Sequence, residues 1–331
     1  MLFDTLPGQE MPMPQVESAL ARMWAVERTE STQDALPSEF RASQMNLILH
    51  FGPETDSNEG NDIFQTTLKF AQRYPCRIVV LCPGEEGQAD PFRQAKVYSQ
   101  CFVGRNLRDR TCCDVLMLRY DPSELDFLDS MVSIWLENDL PTSYYFHKVP
   151  LAQIEAHLLE FVRKCRRVLF DASVETEDLS SVQWPHAELV RDLAWARLLP
   201  LRQALGQFLS NIETAALCEG LESVKIAAHE TLKGEGSNLL AWVRQCLEGC
   251  AQLCDKPFEI DFSQREAGVE EPHMSMEWAY RDSAKHLLWS WDRTKDAATI
   301  TADFGNGRTS FPIHASFLST HKTLAEACFF D

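Results

Sequence analysis

The hydrophobic period changes part-way along the chain, and this change constrains the fold more than any other feature. In the first half the apolar segments are continuous. Ile78-Val79-Val80-Leu81 and Val115-Leu116-Met117-Leu118 contain no polar position. Strands buried on both faces read this way, as in a parallel sheet covered by helices on either side. In the last third the apolar residues alternate. Met274, Met276, Trp278 and Tyr280 are separated by Ser275, Glu277 and Ala279, and Leu287, Trp289 and Trp291 by Leu288 and Ser290. Phe258, Ile260 and Phe262 alternate in the same way with Glu259, Asp261 and Ser263. A period of two belongs to antiparallel strands with one covered face.

These patterns predict an α/β domain followed by an α+β domain. Strands are expected at Asn46–Phe51, Arg77–Cys82, Asp114–Leu118, Thr142–Phe146 and Arg167–Phe170. Helices are expected at about Asp62–Tyr74, Ser123–Glu137 and Leu151–Lys164, with a loop and short helix over Glu85–Gln100. The sum is a Rossmann-like three-layer domain with a mainly parallel sheet over residues 44–180. Residues 1–43 read as an N-terminal helix, about Gln15–Glu27, plus a linker marked by Pro12, Pro14 and Pro37. The acidic stretch Glu175–Pro185 marks the boundary, and residues 186–331 form the second domain. There a helical stretch from Ala187 to Ile212 should kink or break at Pro200, which lacks a backbone donor and crowds the preceding turn. Helices at Asn238–Leu253 and from about Ser316 cover an antiparallel sheet, and Gly305-Asn306-Gly307 supplies a hairpin turn.

Charge narrows the partners. The chain carries 49 acidic and 31 basic residues, a formal net charge of −18. Nucleic acids and anionic membranes are held through basic footprints, and no Lys/Arg run exists here, so neither is expected. No uncharged apolar run approaches the ~18 residues of a spanning helix. The first residues lack the basic and apolar regions of a signal peptide, so a cytoplasmic protein with mostly reduced thiols is expected. Acidity favours solubility and suits a partner with a basic docking surface.

Catalytic signatures are missing. There is no G-x-x-x-x-G-K-[ST], H-E-x-x-H, G-x-S-x-G or C-x-x-C. Gly234-Glu235-Gly236 is the nearest approach to a dinucleotide fingerprint, but Leu239 stands where its third glycine belongs. Gly236-Ser237-Asn238 reads better as a helix start capped by Ser or Asn, with an anion at that N-terminus as the functional alternative. His50, at a strand end where α/β ligand sites lie, has no acid or nucleophile beside it in the sequence, so a structural role is favoured over a ligand. Cys246, Cys250 and Cys254 continue the stripe of Leu239 and Val243 and read as core thiols; a shared zinc is the weaker reading. At helical spacing of four their Cβ atoms lie about 5–6 Å apart, beyond disulfide reach. Cys112 and Cys113 point to opposite faces of a strand and are poor partners for each other. Redox control through another cysteine pair stays open. No cofactor or metal site is expected.

The densest segment is Arg191-Asp192-Leu193-Ala194-Trp195-Ala196-Arg197-Leu198-Leu199-Pro200-Leu201-Arg202. Arg and Trp bury much area with directional bonding, as interface hot spots do. A domain-joining helix with its charges paired internally is the structural reading, and the two are compatible. The segment resembles the D-L-x-W-x-R-L-x-P-W-R signature of the OpcA family, the glucose-6-phosphate dehydrogenase assembly proteins, with Leu201 in place of the second tryptophan. Four further blocks agree in order: Tyr74-Pro75-Cys76-Arg77, Asn138-Asp139-Leu140-Pro141 before Tyr144-Tyr145-Phe146, Arg167–Ser173, and Gly236–Trp242. The resemblance spans about residues 45–245. It implies a non-catalytic protein that binds glucose-6-phosphate dehydrogenase and promotes its assembly or activation in the oxidative pentose phosphate pathway. Arg191, Asp192, Trp195, Arg197, Pro200 and Arg202 are the candidate contact residues. In photosynthetic relatives the effect is tied to thiol redox state, but no cysteine motif here matches. The alternative is a sugar-phosphate or nucleotide binder, perhaps an enzyme, built on the strand ends near His50 and the Gly234 loop.

Overall fold

Seven consecutive buried residues, Met45–Phe51, form strand β2 near the middle of an eight-stranded sheet. The structure, a computed structural model, describes residues 1–22, 43–85, 94–103, 110–253 and 259–330. The chain divides into two units. Unit 1 comprises Met1–Phe170, Glu175–Arg191 and Leu324–Asp331; unit 2 comprises Asp171–Val174 and Asp192–Thr323.

The strands of the first sheet are β1 (Gln9–Pro12), β2, β3 (Cys76–Pro83), β4 (Gln94–Val103), β5 (Arg110–Tyr120), β6 (Thr142–His147), β7 (Arg167–Phe170) and β8 (Val190–Asp192). Their order is β1-β4-β5-β3-β2-β6-β7-β8. The five strands from β5 to β7 in this order are parallel. Taken in chain order they lie 3-2-1-4-5, the order of a dinucleotide-binding fold, with its switch point between β2 and β6. This is the mainly parallel α/β architecture that continuous apolar runs require. Helix Ser57–Arg73 starts five residues before its expected position because Asp56 caps it, accepting from the Asn58 and Glu59 N–H groups. Leu151–Val162 is helical as expected, with a π turn at Ile154–Leu158. Ser123–Glu137 shortens to a 3-10 turn and the helix Leu128–Ser133.

In the first sheet two antiparallel strands, β1 and β4, escape the sequence reading. The expected loop and helix over Glu85–Gln100 contains part of β4, antiparallel to β5, while residues 86–93 lie outside the described residues. The segment before Gln15, read as lying outside the sheet, contains β1, paired with β4. Most of the expected Gln15–Glu27 helix and Pro37 also fall outside the described residues. What disguised β4 is Lys96, a charged residue that is buried within it. Its ammonium donates to the Phe3 carbonyl at 2.7 Å and the Leu6 carbonyl at 3.0 Å, and lies 4.7 Å from the Phe3 ring centre. A buried cation becomes tolerable when its protons meet acceptors.

Among the described residues one disulfide stands beside eight free cysteines, against an expectation of mostly reduced thiols. Cys101 on β4 and Cys112 on β5 are direct cross-strand partners and are bonded to each other. Cys76, Cys82, Cys113, Cys165 and Cys328 are free and buried.

Unit 2 carries a six-stranded sheet in the order β10-β9-β11-β12-β13-β14. Its strands are β9 (Leu221–Ala228), β10 (Asp261–Glu266), β11 (Met274–Tyr280), β12 (His286–Asp292), β13 (Ala297–Asp303) and β14 (Thr309–His314). From β9 through β11 to β14 the pairing is antiparallel, while β10 joins β9 in parallel. Period two is visible directly: Met274, Met276, Trp278 and Tyr280 are buried and Glu277 is exposed. This face packs with Leu201, Leu205, Leu239, Val243 and Leu247 in one core. The Gly305-Asn306-Gly307 turn forms as expected, both glycines having positive φ and donating their N–H groups to Asp303. Phe258 lies outside the described residues, and Ile260 precedes β10.

Lys96→Met should lower stability by about 1–3 kcal/mol, because it strands buried carbonyl acceptors. A urea midpoint measures the loss, and amide exchange should accelerate at Gln9–Met11 more than at Leu47–Leu49.

Candidate functional site

Helix formation in the Arg191–Arg202 segment is decided by Asp192. Its carboxylate caps helix Leu193–Arg197 by accepting from the Ala194 N–H at 2.9 Å. The same oxygen accepts from the Ala172 N–H at 3.0 Å, and the other oxygen accepts from the Asn238 side chain. Burial raises the Asp192 pKa from 3.8 to about 6, against the pull of these donors. The chain then breaks at Leu198 and restarts as helix Leu199–Leu209, with Pro200 in its first turn, where no donor is needed. This is the break expected from the proline. The residues before Leu193 are not helical: they form a 3-10 turn and β8.

Arg197 is the centre of the arrangement. Its guanidinium donates to Glu235 through Nη1 and to Asp171 through Nη2. Ser173 donates its hydroxyl to the second Glu235 oxygen and accepts from the Gly234 N–H at 3.1 Å. Glu235 is 1% exposed. Burial pushes its carboxyl pKa up, with Arg197 and Ser173 opposing the shift. Burial alone would lower the Arg197 pKa, but Asp171 and Glu235 more than offset it, so the guanidinium stays charged.

The network corrects the reading of the glycine segment. The long helix runs Lys233–Leu253, so Gly234-Glu235-Gly236 lies inside it and not in a loop or helix start before Asn238. Its glycines permit close approach. A Cβ on Gly234 would sit 2.7 Å from the Ser173 backbone nitrogen, and one on Gly236 would sit 2.8 Å from the Ala228 Cβ. A buried carboxylate in that first turn leaves no place for an anion. The core thiol reading is also overturned. The buried stripe of this helix is Leu239, Val243, Leu247 and Ala251, whereas Cys246 is exposed and Cys250 half-buried. Cys254 lies outside the described residues. Among the described residues no cluster of three or more His, Cys, Asp or Glu could hold a metal.

The remaining candidate contact residues sit toward solvent. Trp195, Pro200 and Arg202 are half-buried, and the Arg202 guanidinium lies 3.3 Å from the Trp195 ring centre, a stacked cation–π pair. Arg191 donates to the Glu188 and Val190 carbonyls, both at 2.8 Å. Asp171, Ser173, Glu235 and Asn238, which hold Asp192 and Arg197, were not among the candidates. The signal was present as separate blocks, Arg167–Ser173 and Gly236–Trp242, whose convergence on Arg197 needs the tertiary structure.

At the switch point of the first sheet, the backbone that follows β2 packs closely against the backbone that follows β6. The Gly52 N–H donates to the His147 carbonyl at 2.7 Å, and a Cβ on Gly52 would lie 1.5 Å from the Lys148 carbonyl oxygen. Lys148 adopts a positive φ of 54°, and its N–H is held by buried Glu175 at 3.0 Å. Its ammonium meets Glu59 at 2.7 Å, and His147 faces the other Glu59 oxygen at 3.2 Å. Asp56 and Glu59 therefore put carboxylates on the helix N-terminus that would face a phosphate. Gly60 admits Leu2, whose methyl carbons would lie 2.5 Å from an added Cβ. His50 is the penultimate residue of β2. Fully buried, it bonds the hydroxyls of Tyr144 at 2.8 Å and Tyr120 at 2.7 Å. Burial lowers its pKa from 6.5 to about 3, so it is a neutral structural link.

Arg197→Met should destabilise the fold by about 3–5 kcal/mol, since it leaves Asp171 and Glu235 buried without their cation. Urea melts should show this loss shrinking as pH falls and Glu235, whose carboxyl pKa burial raises, takes up a proton. His50 gives the opposite trend. The unfolded chain binds its proton at about 6.5 and the folded chain at about 3, so stability falls as pH drops through that window. The slope should reach about 1.4 kcal/mol per pH unit and be absent in His50→Gln.

The profile of a family described as glucose-6-phosphate dehydrogenase subunit N-terminal domain, OpcA, matches residues 68–184. Two curated relatives bear the provisional name OxPP cycle protein OpcA. One, from a Synechocystis species, is 22% identical over 202 residues, covering 59% of this chain and 41% of the relative. The other, from Synechococcus elongatus, is 28% identical over 141 residues, covering 39% and 29%. The chain thus spans less than half the length of the curated relatives it matches. Among solved structures, a 3-ketoreductase from Actinomadura kijaniata, crystallised with NADP and TDP-benzene, aligns over 86% of this chain and 87% of its own at 11% identity, with a TM-score of 0.42. Profile, relatives and the ordered motif blocks agree on what this chain is similar to, the OpcA family.

Proposed function

We propose that this chain is a non-catalytic accessory protein of the cytoplasm that binds glucose-6-phosphate dehydrogenase and promotes its assembly or activation, serving the oxidative pentose phosphate pathway. The observation that carries this reading is the close packing at the switch point. Lys148 packed on Gly52, with the Asp56 and Glu59 carboxylates at the helix N-terminus, disfavours phosphate at the position a dinucleotide fold would use and so supports the non-catalytic reading. The same observation disfavours the sugar-phosphate or nucleotide reading, as does the burial of Glu235 within the Gly234 segment. The family profile and the names of the relatives support the partner and the pathway.

Within this proposal, Asp192 and Arg197 act from inside by fixing the helix, Pro200 sets the break, and Arg191 ties down the approach. Trp195 and Arg202 supply the contact, because their stack is half-buried and offers both an aromatic face and a cation. Mass photometry of the chain mixed with its own organism's dehydrogenase should show a complex, and the enzyme's rate, substrate affinity or oligomeric state should change. Arg202→Ala should weaken the complex by about thirtyfold, or ~2 kcal/mol, while the variant still unfolds in a single cooperative transition. No complex and no kinetic change would overturn the proposal. A melting temperature raised by NADP or glucose 6-phosphate would favour the ligand-binding alternative.

A further inference from the structure

Residues 120–146 contain six carboxylates, Asp121, Glu124, Asp126, Asp129, Glu137 and Asp139, and no Lys, Arg or His. Within this run two large apolar side chains face solvent, Phe127 at 62% exposure and Ile134 at 58%. They flank helix Leu128–Ser133, and both have helical backbone angles, so the helical path is continuous from one to the other. Seven residues make nearly two full turns, which places the pair on one face about 10 Å apart. The other side of the helix is anchored by buried Leu128, Met131 and Val132. The apolar pair is therefore carried on a fixed element of unit 1.

Three of the carboxylates meet cations from outside the run. Asp126 accepts from His157 at 2.7 Å, Asp129 from Lys164 at 2.5 Å, and Glu137 from Arg77 at 2.6 Å. The Asp126 and Asp129 pairs are exposed, contribute little and exchange readily, whereas Arg77 is buried and holds Glu137 in place. Two solvent-facing apolar groups inside an acidic field mark a docking site, and the field selects its occupant. A second copy of this chain would bring the same carboxylates face to face, and nucleic acid or an anionic membrane would be repelled. A cationic amphipathic segment of a partner protein satisfies both features, its apolar side chains covering Phe127 and Ile134 and its Lys or Arg residues meeting the acids.

We infer that the Phe127–Ile134 face is a docking surface for a basic, amphipathic segment of the dehydrogenase. The inference rests on the proposed function and adds a contact apart from the Trp195–Arg202 stack. Biolayer interferometry with the full-length chain and its cognate glucose-6-phosphate dehydrogenase tests it. The double variant Phe127→Ser/Ile134→Ser should weaken binding at least about tenfold with an unchanged melt, since both residues are exposed. Asp126→Lys leaves the apolar pair in place and should weaken binding too, and raising the salt should weaken the wild-type complex. Binding of both variants within twofold of wild type overturns the inference while leaving the proposed function standing. Absence of any wild-type complex overturns both. A homodimer that dissociates in the double variant would assign the face to self-association and overturn the inference as well.

Discussion

One guanidinium organises unit 2. Arg197 bridges two carboxylates that lie 26 and 38 residues away in sequence, Asp171 just after a strand and Glu235 in the first turn of the longest helix. Neither acid could be buried alone, because an unpaired charge out of water is costly and would be relieved by protonation or unfolding. Arg197 makes both burials possible at once. Ser173 satisfies a further Glu235 oxygen, and Asp192 ties in Asn238 and the Ala172 backbone. Lysine could not replace the arginine, since the planar fork reaches two carboxylates in fixed directions. The glycines at 234 and 236 follow from the same geometry: the helix must approach closely for Glu235 to reach Arg197.

This arrangement explains how a segment rich in interface-type residues can be largely occupied with itself. A motif read as a contact surface divides into an inner set that holds the backbone and an outer pair that faces solvent. Asp192 and Arg197 belong to the first, Trp195 and Arg202 to the second. In unit 1 the parallel strands keep the order of a nucleotide fold, but the carboxylates of Asp56 and Glu59 occupy the helix end where phosphate would bind. Retaining such a sheet while packing that end closely requires only local changes, because the sheet is held by strand burial and not by the loop.

What the sequence made legible was periodicity. Continuous runs and strict alternation gave β2, β3, β5, β11 and β12 directly, since those patterns follow from how many faces of a strand are covered. Pro200 marked its break for an equally local reason. Several misses share one cause, which is compensation at a distance. β4 carries Lys96 in a buried position because carbonyls some 90 residues earlier accept its protons. The Lys233–Leu253 helix begins on two glycines, poor helix formers, because tertiary contacts leave no room for Cβ atoms. Cys246 and Cys250 continued an apolar stripe by spacing, but the core follows Leu247 and Ala251, a step away round the helix. Cys101 and Cys112 face each other only once the strand register is known.

The composition of unit 1 has a consequence for how the chain is made. Its sheet needs β1 and the Phe3 and Leu6 carbonyls near the start, and Phe329 near the other end rests on Phe70 and Tyr74. Residues Asp192–Thr323, nearly all of unit 2, are inserted between Arg191 and Leu324. During vectorial synthesis, unit 1 therefore holds an unfinished surface while the whole insertion emerges. The Phe70–Tyr74 side of helix Ser57–Arg73 stays uncovered for the time needed to translate more than a hundred residues. The residues from Leu324 onward can reach that surface only after the insertion has been synthesised.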